Sequence, residues 1–417
     1  MSTGTAPDAG SSVDPRRPLY ARTEGISERK ADHLQICTDP QEYLIETGDS
    51  AFGSMRFLHR ALPELDAGRI DTSLEFLGSR ISLPIFISCK TGGSEGGGQV
   101  NRHLARAAEE ARIPVGAGSI RILFRDEAYF DQFYIKPLAP DVPVIANLGA
   151  VQLRDIDNRA VGEMLKRLEV QALSVHLNAG QELFQPGGDR DFTGLFDGIS
   201  RFCERSPVPV IVKETGFGMR PSEILRLLAS GVAYVDLAGA GGTNWLRVES
   251  YRSGTEAITI AEQFDDWGIS TGVLLAALKE RGIAAPVTEL PERRGAASRA
   301  FRRQGLSAPP SNGALAGKVL ASGGVRSGMD VAKCVALGAE IAGLALPFAR
   351  AVHEDGVAGA LKLIEELDRG LRGVMTLTGC RTVAALKKAP LMMDAPLTHA
   401  VGELLAADSS DPEETLR

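Results

Sequence analysis

The stretch ASGGVRSGMDVAKCVALGAEIAGLALPFARA, Ala321 to Ala351, holds two short apolar runs, each ending in a turn of small residues, with a helix-forming segment between them. The first run reaches Gly323 and Gly324, whose missing side chains let backbone N–H groups face a ligand. A helix is expected from about Met329 to Leu337. The second run closes in GLALPFARA, so the turn around Gly343, Ala345 and Leu346 stands beside the first. Tandem turns after the last two strands are where a closed parallel barrel commonly holds a phosphate, although close packing alone would also ask for such glycines.

Reading outward, the same alternation of apolar runs and longer amphipathic segments begins at Pro84. The runs PIFISC, PVGAGS, PVIANLG, ALSVHLN, PVIVKE, AYVDLAG, KVLASGG and EIAGLAL make eight candidate strands. The expected fold is α/β, a (β/α)8 TIM barrel with its site at the carboxyl ends of the strands. An open doubly wound sheet would want a GxGxxG turn after its first strand, and SCKTGGSEGGG is not one. The expected organisation is a disordered tail over 1–25, a barrel over 26–400 and a C-terminal tail over 401–417. A Pro-, Gly-, Ser- and Arg-rich loop over 286–316 is inserted between the sixth and seventh strands. After the eighth strand, GALKLIEELDRGLRGVMTLTG has the spacing of a helix packed on the barrel.

The 417 residues, 44% hydrophobic with 46 glycines and 6% aromatics, suit an enzyme rich in tight turns. A formal charge of −7 without a broad basic face argues against a nucleic-acid partner, so any phosphate recognised belongs to a small molecule. Five scattered cysteines without a CxxC pair suggest a reducing cytoplasm. No stretch reads as a signal peptide or a membrane span.

Polar residues at other strand ends fit a flat, hydrogen-bonding cofactor lying across the barrel mouth. Thr91, Ser119, Asn147 and Lys213 are placed to reach it, and flavin mononucleotide, FMN, is the natural candidate. Lys213 follows the apolar run PVPVIV directly, which places it to offset electron-rich ring atoms rather than to sit solvated at the rim. In SVHLNAGQELFQPGGDRDF, Ser174 to Phe192, His176 and Asn178 share one face of a strand. Glu182 follows in the loop above them, a lone carboxylate that is by itself weak evidence for a metal.

The chain resembles the flavin-dependent type 2 isopentenyl diphosphate isomerases. The resemblance rests on RKADH, TGGSE, GSIR, ANLGAVQL, HLNAGQE with PGGDRDF, KETGFG, DLAGAGGTNW and ASGGVRSG, from about Ile26 to Pro390. It implies interconversion of isopentenyl and dimethylallyl diphosphates by acid–base chemistry, with reduced FMN, Mg2+ and NAD(P)H as reductant. It further implies a cytoplasmic homo-oligomer, a tetramer or octamer, with a small diphosphate substrate and neither nucleic acid nor membrane as partner. By the same resemblance Arg29, Lys30, His33, Arg121, His176 and Asn178 hold the diphosphate, Gln181 is catalytic at the reacting carbons, and Glu182 binds the metal. Lys90, Thr91, Gly92, Ser119, Asn147, Lys213, Thr243, Gly323, Gly324, Arg326, Gly343, Ala345 and Leu346 are the expected flavin contacts.

The chain departs from the family pattern at three places. Lys90 stands where Met precedes Thr-Gly-Gly, Ile120 replaces Gln, and Ala238 replaces Ser. Two other flavin chemistries fit less well. An FMN-dependent 2-hydroxy acid oxidoreductase would need a His near the seventh strand, and KVLASGGVRSG has none; a nucleotide-type dehydrogenase would need a Cys after the sixth, and GAGGTNW has none. A flavin-binding barrel that has lost isomerase activity is the remaining alternative.

Overall fold

The computed structural model describes residues 26–89, 92–282 and 317–410. The expected tail over 1–25, the whole of the insertion over 286–316, and Lys90 and Thr91 lie outside the described residues.

All eight expected runs form parallel strands of one closed barrel. Three short strands precede it: β1 (Met55–Phe57), β2 (Leu74–Phe76) and β3 (Ser79–Ile81). The barrel runs β4 (Ile85–Ile87), β5 (Val115–Ser119), β6 (Val144–Gly149), β7 (Ala172–Leu177) and β8 (Val210–Glu214). It continues through β9 (Tyr234–Asp236), β10 (Val319–Ser322) and β11 (Ala342–Leu344), and β11 pairs with β4 to close it. Strand β12 (Leu391–Met393) pairs antiparallel with β1. The runs are rich in β-branched residues because most of them are buried on both faces, against the helices outside and the barrel centre inside.

The alternation of side chains along each strand builds the interior in layers. The lower layer is apolar: Phe86, Ile145, Ala172, Ile211 and Leu320 pack together, and Phe76 and Ile81 of the β2–β3 hairpin join them. Further along six of the eight strands the inward positions turn polar, as Ser88, Asn147, Ser174, Lys213, Asp236 and Ser322. The floor of the cleft is therefore set by the pleat period.

The expected helix after β10 is Gly328–Ala336, and its Ser327 side chain caps it with Asp330 in a reciprocal capping box. The segment expected as a helix after β11 is the second half of Leu346–Thr378, which breaks at Asp355 and Gly356; Gly356 has φ +53°, a conformation open to glycine. The boundary expected at residue 400 falls inside the helix Ala395–Ser410. That helix continues because Asp408, 7% exposed, is anchored to the barrel helices. It lies 2.9 Å from Arg281 and 3.4 Å from Arg220, and accepts from the Ser222 hydroxyl. Among the described residues no helix is long and apolar enough to cross a membrane.

Replacing Asp408 with Ala leaves two arginines facing each other without their shared anion. Because both are partly solvated, the expected loss is about 1–3 kcal/mol, read as faster proteolytic trimming of the C-terminal helix than in the parent chain.

Candidate functional site

At the carboxyl ends of the barrel strands a large cleft opens, roofed by the helix Ile26–Thr38. The roof contributes Arg29, Lys30 and His33 and the floor contributes Ser88, Asn147, Lys213 and Ser322. The strand-end loops supply Arg121, His176, Asn178, Gln181 and Glu182. All seven expected substrate contacts and the expected metal ligand therefore line one cleft. So do Ser119, Thr243, Gly323, Gly324, Arg326, Gly343, Ala345 and Leu346 among the expected flavin contacts.

The cations sit together at one end. Lys30 reaches into the cleft, donates to the Ser119 carbonyl at 3.1 Å and lies 5.5 Å from the Phe133 ring centre. Burial, reinforced by Arg29 and Arg121, lowers its pKa to about 7. Burial likewise lowers that of Arg29. His176 is pushed down to about 3, first by burial and then by Lys213, Lys30 and Arg121, so it is neutral. Its Nδ1 lies 2.8 Å from Asn147 Oδ1, which fixes the ring and leaves Nε2 for a ligand. Gly149 permits this arrangement, because a Cβ there would come 3.0 Å from His176 Nε2.

The turn after β7 is organised around two carboxylates. Asn178, in the N-cap position of the short helix Ala179–Phe184, donates to Glu182 Oε1 at 3.0 Å. Glu182 Oε2 accepts from Gln185 at 3.1 Å and from the Asp189 amide at 2.8 Å. Gln181 points the other way and donates to Glu249 Oε1 at 2.8 Å.

Glu249 was not legible as a site residue. It lies on the helix Trp245–Ser253, is fully buried, and faces His33 Nε2 at 2.9 Å and Arg252 Nη1 at 2.9 Å. The His33 contact is an ion-pair distance whose angle falls short of a hydrogen bond. Burial alone would push this carboxylate upward, yet His33, Gln181 and Arg252 together bring it down to about 2. Arg252 also reaches Asp32 at 3.2 Å, so the roof helix is fastened at two points. Gln152 is a second missed neighbour; it lines the cleft and donates to Asp189 at 2.9 Å. ANLGAVQL contained it, but nothing in its spacing singled it out.

Two expected contacts are placed differently. Gly92 does not line the cleft; a Cβ there would meet the Phe133 ring at 2.5 Å, so packing accounts for the glycine. Arg326 lines the cleft but commits its guanidinium to Glu46, which Arg350 also holds. Of the departures, Ile120 is fully buried in the apolar core, and Ala238 lines the cleft in a left-handed conformation, φ +39°.

The residues present fit a flavin phosphate. Gly323 and Gly324 have φ of +95° and +73°, and a Cβ on Gly324 would come 2.8 Å from the Gly241 carbonyl. Their amides donate to no acceptor among the described residues, and the helix beginning at Leu346 opens beside them. For Mg2+ the fit is of another kind. Among the described residues there is no group of three or more His, Cys, Asp or Glu that could hold a metal. Glu182 thus offers one buried carboxylate, which suits an ion that keeps water and substrate oxygens around it.

Removing Glu249 should show how much rests on it. Glu249→Ala removes the buried anion shared by His33, Gln181 and Arg252 and leaves Arg252 only its contact to Asp32, and the expected cost is about 3 kcal/mol of stability, measured by urea unfolding of the free protein, with Glu249→Gln losing distinctly less.

Comparison with known proteins agrees with the geometry. Residues 178–393 match the family model described as FMN-dependent dehydrogenase. In solved structures the fold is similar to a flavocytochrome b2 mutant with sulfite bound, at a TM-score of 0.59 and 21% identity over 89% of this chain and 84% of that one. It is also similar to a mandelate oxidase mutant, at a TM-score of 0.52 and 17% identity over 90% and 95%. Among curated relatives, the isopentenyl-diphosphate delta-isomerase of Borrelia garinii subsp. bavariensis is 35% identical over 90% of this chain and 96% of its own. That of Methanoregula boonei is 37% identical over 90% and 96%, and that of Paracoccus zeaxanthinifaciens 39% over 87% and 95%. With this agreement along nearly the whole chain, on a barrel of the FMN-dependent kind, the protein belongs to the type 2, FMN-dependent isopentenyl-diphosphate delta-isomerase family.

Proposed function

We propose that the chain interconverts isopentenyl and dimethylallyl diphosphates in this cleft, with FMN across the floor and the substrate between floor and roof. The observation that carries the reading is the make-up of the cleft. Arg29 and Arg121 lie close enough to Lys30 to act on its charge, and the apolar side chains of Leu34, Trp245 and Leu346 line the same cleft. A five-carbon chain bearing a diphosphate needs both kinds of surface.

FMN would be held by Gly323, Gly324, Gly343, Ala345 and Leu346 at its phosphate and by Ser119, Asn147 and Lys213 along its ring. In its reduced form it supplies the acid–base group at the alkene, with NAD(P)H or another donor keeping it reduced. The protein's own part is positioning and charge. Arg29 and Arg121 bind phosphate oxygens through paired N–H groups. Lys30 adds a point charge that an incoming diphosphate stabilises. His176, neutral beforehand, gains a proton at Nε2 when anionic oxygens approach and then donates to them. Glu182 would hold Mg2+, whose charge would offset that of the diphosphate. Gln181, oriented by Glu249, keeps its amide at the reacting carbons. A cytoplasmic homo-oligomer, tetramer or octamer, completes this reading, and the mass in solution tests it.

The direct experiment is to purify the protein, read its absorbance for flavin, and assay isomerisation anaerobically with reductant and Mg2+. A chain that stays colourless after incubation with FMN, or that does not turn over isopentenyl diphosphate, overturns the reading. Within an active enzyme the two neighbours on the β7 turn should fail differently. Glu182→Gln should lose activity that added Mg2+ partly restores, whereas Gln181→Ala should lower kcat at every Mg2+ concentration and change diphosphate affinity less. The pH dependence has a defined sign. Lys30 is charged below about 7 in the free protein, so KM for the diphosphate should climb as pH rises above that value, by up to about tenfold per unit, and Lys30→Arg should flatten the climb.

A further inference from the structure

Beneath the cleft, the polar layer of the barrel contains a carboxylate that none of the roles above uses. Asp236 at the end of β9 is 1% exposed. Its Oδ1 accepts from the Ser322 amide at 3.0 Å and the Ser322 hydroxyl at 2.8 Å. Its Oδ2, equally buried, has no hydrogen-bond partner among the described residues. Leaving a buried carboxylate oxygen unpaired is costly, so a compensating charge is expected close by.

Strand register points to that charge. Asp236 on β9 is paired with Lys213 on β8, and the two side chains occupy the same inward layer. Burial pushes the Asp236 carboxyl above its ordinary range, and the charge of Lys213 is the strongest of the effects that oppose it, ahead of the Ser322 donors and the Ala238 amide. The remaining neighbour, the Cys89 thiol, is pushed by burial up to about 11, so it supplies no charge. Lys213 gives one N–H to the Glu214 carbonyl at 2.5 Å, leaving two, and it lines the cleft.

We propose that Asp236 is a positioning residue for the cofactor: its unpartnered Oδ2 is the counter-charge that aims the Lys213 ammonium at the electron-rich edge of FMN on the cleft floor. The inference rests on the FMN reading and adds to it a residue that never touches the cofactor. Ser322, which carries Oδ1, comes from the strand that leads into the Gly323–Gly324 turn, so one carboxylate orders both the ring side and the phosphate side of the floor.

The test is a double-mutant cycle on FMN binding, followed by fluorescence quenching as FMN is added to the apoprotein. Asp236→Asn should weaken FMN about tenfold to a hundredfold, because the Lys213 ammonium loses the charge that directs it. In a Lys213→Met background the same substitution should change affinity by less than about twofold, because the residue through which it acts is gone. Equal losses in the two backgrounds, or no loss from Asp236→Asn in the parent, would overturn the proposal in favour of a purely structural carboxylate. Should Asp236→Asn not fold, infrared difference spectra of the apoprotein decide: Lys213→Met should move one buried carboxyl from its ionised to its protonated band, and an unchanged spectrum counts against the pairing. A parent chain that takes up no FMN overturns the cofactor reading itself and this inference with it.

Discussion

The buried carboxylate of Glu249 is the constraint on which the arrangement of the cleft depends. Fully removed from solvent, it is stable only while His33, Arg252 and Gln181 surround it. His33 comes from the roof helix, Gln181 from the turn after β7, and Arg252 from the anion's own helix, which also grips Asp32 on the roof. Satisfying one charge thus fixes the distance between the part that carries Arg29 and Lys30 and the part that carries Gln181 and Glu182. An apolar contact of the same area would hold the pieces together without specifying their register so narrowly, because it has no direction.

Below that anion the barrel is a graded interior. The hairpin of β2 and β3 and the first inward residues of the strands form a dry plug. The next residues along are polar and electrostatically linked, with Lys213 acting on Asp236 and both acting on Cys89. Low polarity beneath and around this layer strengthens each of its interactions. Closure against water is what drives the His176 imidazole so far down, and it is the same condition under which an arriving anion has a large effect on that ring.

Much of this was legible in the sequence, for a physical reason. Parallel strands buried on both faces must be apolar throughout, and turns that approach a phosphate must be small, so the eight runs and the glycines at 323 and 324 announced themselves. The motif residues from His176 to Glu182 were legible because their neighbours in sequence are their neighbours in space. Glu249 was not, since a glutamate in WLRVES reads as solvated until the roof helix, more than two hundred residues away in sequence, is laid on it. The ion pair that Arg326 makes was illegible for the same reason: its partner Glu46 is 280 residues distant. The continuation of the last helix past residue 400 likewise depends on Arg220 and Arg281, which no local pattern connects to Asp408.

The apolar plug under the barrel also sets an order of events. With Phe76 and Ile81 filling the lower end among the strand residues, the described residues leave the floor open through the mouth, and the roof helix lies over that mouth. Whatever rests on the floor must enter first and leave last. A flavin bound there is kinetically trapped for as long as a diphosphate occupies the space above it, so exchange of the cofactor is expected to slow as substrate accumulates, and the enzyme would hold its prosthetic group most firmly when it is busiest.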